Sequence, residues 1–190
     1  DFTIAPDTLA LCRRMVASGE VDHLVAERVW QEMARALMHA RPSRFCRVLR
    51  ETGALARILP ELDALWGVPQ VPEFHPEIDT GEHVMLVLDE AARMRSGLDV
   101  RFACLVHDLG KALTPPEQLP KHHGHEKAGL APVREVCRRL RVPNEPRDLA
   151  LLVCEFHLIC HRAPELKPGT VMRLFKRADA LRRPERFEQF

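Results

Sequence analysis

Apolar residues return at intervals of three and four along most of the chain, which is the pattern of amphipathic helices. In residues 27–40, for example, Val29, Met33 and Leu37 fall on one face. No Asn-Gly pair and no alternating apolar and polar run indicates a hairpin or a strand. The sequence therefore predicts an all-α fold.

A proline-rich segment interrupts this helical pattern. Residues 66–76, WGVPQVPEFHP, carry three prolines and a glycine in eleven residues, so no helix can run through them. We place a domain boundary here, with a small helical module at residues 1–72 and a helical bundle at residues 73–190. His75 in this segment is interpreted as an exposed loop residue. The chain lacks an initial methionine and ends inside a helical pattern, so we expect a fragment that is cut short at its C-terminus.

The bundle begins with an N-terminal helix signal. Asp79 is a good N-cap and Glu82 follows three residues later, the arrangement of a capping box. His83 then lies in the first turn, where the positive end of the helix dipole disfavours imidazolium. A neutral ring keeps a nitrogen free to bind a metal ion. The plain alternative is an ordinary histidine half covered by its neighbours.

The next helix closes with a histidine and a carboxylate, and Gly110 is predicted to end it. In DVRFACLVHDLGK, residues 99–111, Arg101 is the one polar side chain between Val100 and Val106, so this helix should be buried nearly all round. A carboxylate such as Asp108 at the end of a buried helix is costly unless a cation pairs with it. Lys111 is one candidate cation, and a divalent metal shared by His107 and Asp108 is the other.

Six more titratable residues lie in three unusual places. A loop carries three histidines within four residues, an apolar helical run ends with two histidines one turn apart, and a carboxylate lies on the inward flank of the last predicted helix. Each signal is weak by itself. The residues are His122, His123 and His125 on the loop, His157 and His161 on the run, and Asp179 on the last helix.

Composition narrows the function without choosing it. The 190 residues are 46% hydrophobic with a formal net charge of +1, so the whole molecule has no bias toward nucleic acid or membrane surfaces. The six cysteines form no CxxC pair, as expected for reduced thiols in the cytoplasm. No apolar run reaches the roughly 18 residues that a membrane span needs. We therefore expect a cytoplasmic protein without a membrane partner.

Taken together, His83, the doublet His107 and Asp108, and the distal Asp179 resemble the pattern of the HD superfamily of metal-dependent phosphohydrolases. The resemblance runs from about Thr80 to Arg183, and HDLGK is its most specific part. It implies that these four residues are metal ligands. It also implies magnesium or nickel as the cofactor, with manganese and zinc as alternatives.

The resemblance also implies catalytic roles for five residues. His125 and His157 join the metal in superfamily members with a richer site, or else bind phosphate or carry protons. Lys111 or a histidine of the loop at residues 122–125 would neutralise phosphate charge or protonate the leaving alcohol. The predicted catalytic set is His107, Asp108, Lys111, His125 and His157.

Read with the first module, the chain also resembles the bacterial multifunctional CCA proteins, tRNA nucleotidyltransferases that carry a C-terminal HD domain. The resemblance is carried by FHPEIDTGEHVMLVLD, VRFACLVHDLGKALTPPE and the helical segment at residues 27–69. It implies a neck followed by an HD domain with 2′,3′-cyclic phosphodiesterase, 2′-nucleotidase and phosphatase activities. The substrates would be the tRNA 3′ end and nucleotide phosphate esters, and the chain a monomer or homodimer. No GS followed by a DxD-type carboxylate pair occurs, so this chain should not add nucleotides.

Other interpretations stay open at this stage. A stand-alone HD enzyme acting on nucleotides would share the same metal pattern. A non-catalytic helical adaptor could instead hold a structural zinc through Cys154, His157 and His161. Arginines at helical spacing in the first module could follow an RNA backbone or could simply be solvated, so no residue is assigned to RNA binding. They are Arg28, Arg35, Arg41, Arg44, Arg47 and Arg50.

Overall fold

The computed structural model describes residues 3–190 and confirms the all-α prediction; Asp1 and Phe2, the first residues of the predicted neck, lie outside the described residues. Over the described range a single isolated bridge between Pro69 and Asp79 is the one β-type pairing. No helix in that range combines the length and apolar character that a membrane crossing requires. The α-helices in chain order are α1 (Pro6–Ala17), α2 (Ala26–Leu37), α3 (Ser43–Glu51), α4 (Ala54–Ile58), α5 (Pro60–Asp63), α6 (Thr80–Arg93), α7 (Leu98–Val106), α8 (His125–Ala128), α9 (Leu130–Arg139), α10 (Asn144–Cys160), α11 (Pro168–Ala178) and α12 (Pro184–Gln189).

Short 3₁₀ helices connect several of these elements. The one at Leu109–Leu113 follows α7 directly, so the predicted helix end at Gly110 is wrong: α7 ends at Val106, and Gly110 lies inside the 3₁₀ turn. This turn positions the residues that follow the His-Asp doublet. The other 3₁₀ helices are Glu20–His23, Pro116–Gln118 and Ala163–Glu165.

At the start of α6 the N-cap bond of the predicted capping box is formed, but the reciprocal bond from Glu82 is not. The Asp79 side chain accepts a hydrogen bond from the Glu82 backbone N–H at 3.0 Å, which confirms the N-cap. The Glu82 carboxylate does not complete the capping box, because it binds Arg47 at 2.5 Å and the Trp66 indole N–H at 2.9 Å. The start of α6 is therefore bound both to α3 and to the irregular stretch at residues 64–79, called here the connecting segment.

One hydrophobic core extends through both predicted modules. Trp30 on α2 packs edge-on against Phe102 on α7, with the ring centroids 5.2 Å apart. Leu55 from the first module and Leu88 from the second are both fully buried in the same cluster. The chain packs as a continuous body around α7, and the domain boundary at residue 72 stays a prediction.

Arg101 on α7 links this core to the end of α2. It is 5% exposed, and its Nη1 donates hydrogen bonds to the carbonyl oxygens of Leu37 and His39 at 2.7 and 2.8 Å. Its Nε donates to the carbonyl of Ser96 at 2.8 Å. A buried guanidinium is tolerated here because it satisfies carbonyls that the helix end leaves without partners.

Replacing Arg101 with methionine should lower the free energy of unfolding by about 3 kcal/mol, because one buried and two partly buried carbonyls lose charge-assisted hydrogen bonds. Urea denaturation followed by circular dichroism measures this change. The matched control is Arg28→Met on α2, an exposed position where the change should stay within about 0.5 kcal/mol. Equal stability of the two variants would contradict the anchoring role of Arg101.

Candidate metal centre

Four imidazole rings converge on the carboxylate of Asp108. The distance from an Asp108 oxygen to the ring Nε2 is 3.2 Å for His107, 3.3 Å for His125, 3.6 Å for His157 and 3.8 Å for His83. The donor atoms of His83, His107 and Asp108 lie within 4.8 Å of one another, and so do those of Asp108, His125 and His157. These residues come from the start of α6, the end of α7, the start of α8 and the last turns of α10.

The Asp108 carboxylate is buried and lacks normal hydrogen bonds. The residue is 1% exposed, and among the described residues neither oxygen has a hydrogen-bond partner of acceptable geometry. Lys111 Nζ lies 2.7 Å from Oδ2, so the ion pair that the sequence offered as the plain alternative is present, but its direction of approach leaves the oxygen unsatisfied as a hydrogen-bond acceptor. A buried carboxylate with two orphaned oxygens fits a bound cation.

Three of the histidines are held in the tautomer that binds metals through Nε2. The Nδ1 of His107 lies 2.8 Å from the Cys104 carbonyl, and that of His125 lies 2.7 Å from the His122 carbonyl. The Nδ1 of His157 lies 3.1 Å from the Val153 carbonyl. Because a carbonyl oxygen can only accept, each Nδ1 carries the proton. A neutral ring in this orientation presents the Nε2 lone pair toward Asp108.

The pKa shifts of Asp108, His83 and His157 favour an ionised carboxylate and neutral rings. Burial raises the pKa of Asp108, but the charges of His107 and Lys111 and the close approach of the His107 and His125 rings outweigh it and hold that pKa well below its usual range. Burial lowers the pKa of His83, and burial together with the charge of His107 lowers the pKa of His157 to about 4. The site therefore combines an ionised carboxylate with neutral imidazoles, the forms that coordinate divalent ions.

His107 differs from its neighbours in one respect. Burial lowers its pKa, but the adjacent charge of Asp108 outweighs burial and raises that pKa above the ordinary value. A protonated His107 adds to Lys111 in compensating the buried carboxylate. Ion binding at this position would release a proton from His107.

The structure does not bring Asp179 to this cluster. The prediction of a continuous helix through Asp179 is wrong, because α11 ends at Ala178 and Asp179 takes a left-handed conformation with φ of 51°. Its side chain is 36% exposed and lies 4.0 Å from Arg182. Within residues 3–190, no group of donors close enough to share an ion includes Asp179. Its ligand role stays a prediction without geometric support here.

The connecting segment before α6 supplies three contacts that the sequence reasoning missed. Gln70 is 1% exposed and its Oε1 accepts a hydrogen bond from Lys111 Nζ at 2.5 Å. The Glu77 carboxylate lies 2.6 Å from His83 Nδ1 and 3.4 Å from His75 Nδ1. His75 is half buried rather than the exposed loop residue that we predicted. Its spacing to Glu77 and His83 was the available signal, whereas nothing in the sequence marked Gln70.

Of the three loop histidines, only His125 reaches the Asp108 carboxylate. His122 donates from Nε2 to the Pro69 carbonyl at 2.9 Å and uses Nδ1 with the Thr114 hydroxyl at 2.7 Å. His122 therefore links its loop to the connecting segment through Nε2 and to the end of the 3₁₀ turn through Nδ1. His123 is exposed.

The structural zinc interpretation is not supported by this arrangement. Cys154 is buried, its Sγ donates to the Glu126 carbonyl at 3.5 Å, and burial raises the pKa of its thiol to about 12. His161 is exposed, and no potential metal group in the described part of the chain contains Cys154 or His161.

Several of the regularly spaced arginines have structural partners. Arg47 binds Glu82 at 2.5 Å, and Arg50 lies 4.8 Å above the Trp66 ring and 3.7 Å from Asp63. These two therefore fasten the first module to the connecting segment and to α6. They are less available for RNA than their spacing indicated.

Comparison with known proteins gives two family matches and a set of close relatives. Residues 1–65 match the family described as a probable RNA and SrmB-binding site of polymerase A, and residues 80–183 match the HD domain. The chain is 65% identical over 187 residues to a multifunctional CCA protein of Laribacter hongkongensis, covering 98% of this chain and 46% of that protein. It is 64% identical over 189 residues to the protein of that name from Chromobacterium violaceum, covering 100% of this chain and 46% of the relative.

The chain thus spans about half the length of the curated relatives that it matches. The predicted resemblance to multifunctional CCA proteins is confirmed as a similarity over nearly the whole chain. The HD match takes in His83, Asp108 and His157, so the converging side chains lie inside the matched region. Since that match covers more than half of the 190 residues, the chain belongs to the HD domain family.

Proposed function

We propose that this chain provides the metal-dependent phosphohydrolase activity of a multifunctional CCA protein. The observation that carries the proposal is the convergence of four histidine Nε2 atoms on a buried carboxylate whose oxygens have no aligned hydrogen-bond donor. The substrates would be the tRNA 3′ end and nucleotide phosphate esters, through 2′,3′-cyclic phosphodiesterase, 2′-nucleotidase and phosphatase reactions. The similarity to multifunctional CCA proteins supports this choice of substrates.

The residues that would hold metal form two sets that share Asp108, one with His83 and His107 and the other with His125 and His157. One carboxylate among four imidazoles favours a transition ion such as nickel, manganese or zinc over magnesium, which prefers oxygen ligands. When bound, such an ion would polarise a phosphoryl oxygen and activate a water molecule. We therefore favour nickel over magnesium among the cofactors implied by the sequence.

Two further roles follow from the chain's own groups. The Lys111 ammonium, held by Asp108 and Gln70, lies beside the site and offers positive charge to a phosphate oxygen. His157, whose pKa is lowered to about 4 by burial, carries no extra proton near neutral pH. His157 is therefore suited to bind an ion or accept a proton, and unsuited to act as a general acid.

The first module would contact tRNA. Its match to a probable RNA-binding family supports this. Arg28 and Arg41 are exposed, whereas Arg47 and Arg50 form ion pairs with Glu82 and Asp63. Contact of this kind would be driven by phosphate charge and would weaken as salt is raised. Nucleotide addition would need residues that this chain does not carry.

Removal of divalent metal tests the proposal. Treatment with a chelator should reduce hydrolysis of a 2′,3′-cyclic nucleotide by at least about 100-fold, because the ion supplies both charge and the activated water. Adding back nickel or manganese should restore the rate. Circular dichroism should show unchanged helix content, because the hydrophobic core consists of apolar side chains and includes none of the candidate ligands. Activity that persists after complete metal removal would refute the proposal, and unfolding would indicate a structural metal instead.

A further inference from the structure

His83 is oriented differently from the other histidines of the centre. The rings of His107, His125 and His157 are each fixed by a backbone carbonyl three or four residues earlier in their own segment. The Nδ1 of His83 instead lies 2.6 Å from a side-chain oxygen of Glu77. The fourth ring of the centre is thus oriented by a residue that a single substitution can remove.

The position of His83 explains why a side chain is used. His83 lies in the first turn of α6, and the residues before its N-cap Asp79 belong to the irregular connecting segment. The carbonyl of Asp79 accepts the backbone N–H of His83 at 2.9 Å, and the acceptor for the ring is the Glu77 carboxylate, which lies outside the helix.

We propose that Glu77 is a positioning residue of the metal centre, which fixes His83 as the Nδ1–H tautomer and directs its Nε2 toward Asp108. The inference rests on the proposed function, since it concerns the ion that the centre would hold. A carboxylate accepts from Nδ1–H, which leaves the lone pair on the Nε2 atom that lies 3.8 Å from Asp108. Carboxylate, histidine and metal in sequence form a recurrent arrangement in which the carboxylate orients the ligand.

His75 holds the Glu77 carboxylate in place. Its ring packs edge-on against that of His83, with the centroids 4.6 Å apart, and its Nδ1 lies 3.4 Å from the Glu77 oxygen that His83 binds. Glu77 is largely buried beside the two rings, with 16% of its side chain exposed. The connecting segment therefore forms an outer wall of the centre.

The same three residues could instead be ligands of a second ion, because their donor atoms lie within 4.8 Å of one another. The distances argue against this. Two atoms bound to one ion at about 2.1 Å each lie some 3 Å or more apart, whereas His83 Nδ1 and the Glu77 oxygen are 2.6 Å apart, a hydrogen-bond distance. His83 also directs its other nitrogen toward Asp108.

The experiment compares Glu77→Ala and Glu77→Gln with the wild-type chain and with Glu73→Gln, an exposed glutamate of the same segment. Titration calorimetry with Ni²⁺ on metal-free protein measures affinity and stoichiometry. Alanine should weaken binding by about 10-fold to 100-fold, the usual effect of removing a carboxylate that orients a ligand. Glutamine, whose carbonyl oxygen still accepts from Nδ1–H without charge, should lose less, and Glu73→Gln should match the wild type.

Nitrogen NMR of the metal-free chain gives a second readout that a purely structural role would not move. Wild-type His83 should carry its proton on Nδ1, and Glu77→Ala should shift the ring toward the Nε2–H form. Wild-type affinity in both Glu77 variants, with an unchanged His83 tautomer, would overturn the inference while leaving the proposed function intact. A wild-type chain that binds no divalent ion would instead defeat the proposed function.

The remaining outcomes also decide between the alternatives. A fall from two bound ions to one in Glu77→Ala would show that Glu77 is a ligand and would overturn the positioning role. If Glu77→Ala fails to fold, the isosteric Glu77→Gln decides: an affinity loss accompanied by the wild-type unfolding midpoint supports the inference, and unchanged affinity overturns it.

Discussion

Replacing Asp108 with asparagine is expected to abolish divalent-ion binding and, with it, the proposed phosphohydrolase activity. Each histidine Nε2 of the centre faces one of the two Asp108 oxygens, and asparagine keeps their volume while removing the charge. The loss of affinity should exceed the roughly 100-fold upper end for orienting residues, because a direct ligand is removed. Calorimetry with Ni²⁺ and hydrolysis of a 2′,3′-cyclic nucleotide measure the two effects.

The same substitution should also destabilise the metal-free chain. Lys111 is buried with its Nζ 2.7 Å from Asp108, so Asp108→Asn leaves an uncompensated buried ammonium at a cost of about 3 to 5 kcal/mol. The double variant Asp108→Asn, Lys111→Met should recover most of that stability without recovering ion binding. This pair separates loss of the ligand from loss of the fold.

Asp179→Asn is the matched control for this series. Because Asp179 lies outside the converging donors, its substitution should leave Ni²⁺ affinity within about two-fold of wild type, as expected for a surface change. A loss as large as that of Asp108→Asn would show that Asp179 is a ligand, as the sequence predicted. Retained ion binding in Asp108→Asn would contradict the site assigned here.

The sequence predicted much of this centre because its main parts follow from local helix rules. His83 lies in the first turn after a cap, and His107 and Asp108 end a buried helix, so both positions are set by the start and end of an element. His125 and His157 also converge with them. Burial of an acid at a helix end was enough to require a cation.

What the sequence could not provide lies in the irregular segments. Gln70 and Glu77 reach the centre through a proline-rich connection without periodicity, so no pattern indicates where their side chains lie. Asp179 was misplaced for a related reason: its predicted position assumed that the apolar period of α11 continued one residue further than it does. Element ends depend on tertiary contacts that a single sequence does not show.

The role of Gly110 also could not be predicted from the sequence, and its substitution is expected to have the second large effect. Its position after the His-Asp doublet indicated a helix end, but the structure assigns it a packing role. A Cβ at this residue would lie 2.0 Å from the His125 carbonyl oxygen and 2.6 Å from the Gly129 nitrogen, both backbone atoms. The turn after Asp108 can therefore lie directly against α8 only while residue 110 has no side chain.

Gly110→Ala should accordingly disturb both the fold and the metal centre. The backbone of α8 has to move, because no flexible side chain can absorb the clash, and overpacking of this kind costs about 3 kcal/mol or more. Since His125 begins α8, the displacement should also weaken Ni²⁺ binding by about 10-fold or more, in line with the sensitivity of metal sites to ligand orientation. Urea denaturation and calorimetry measure the two losses.

The control is Gly169→Ala near the start of α11, where a Cβ would meet nothing within 4 Å. Alanine is the better helix former by about 1 kcal/mol, so this variant should be neutral or slightly more stable, with unchanged ion affinity. A Gly110→Ala chain that matches Gly169→Ala in both measurements would mean that the turn and α8 are not in direct contact. The close approach of these two backbones is thus what connects HDLGK to the histidine of the following loop.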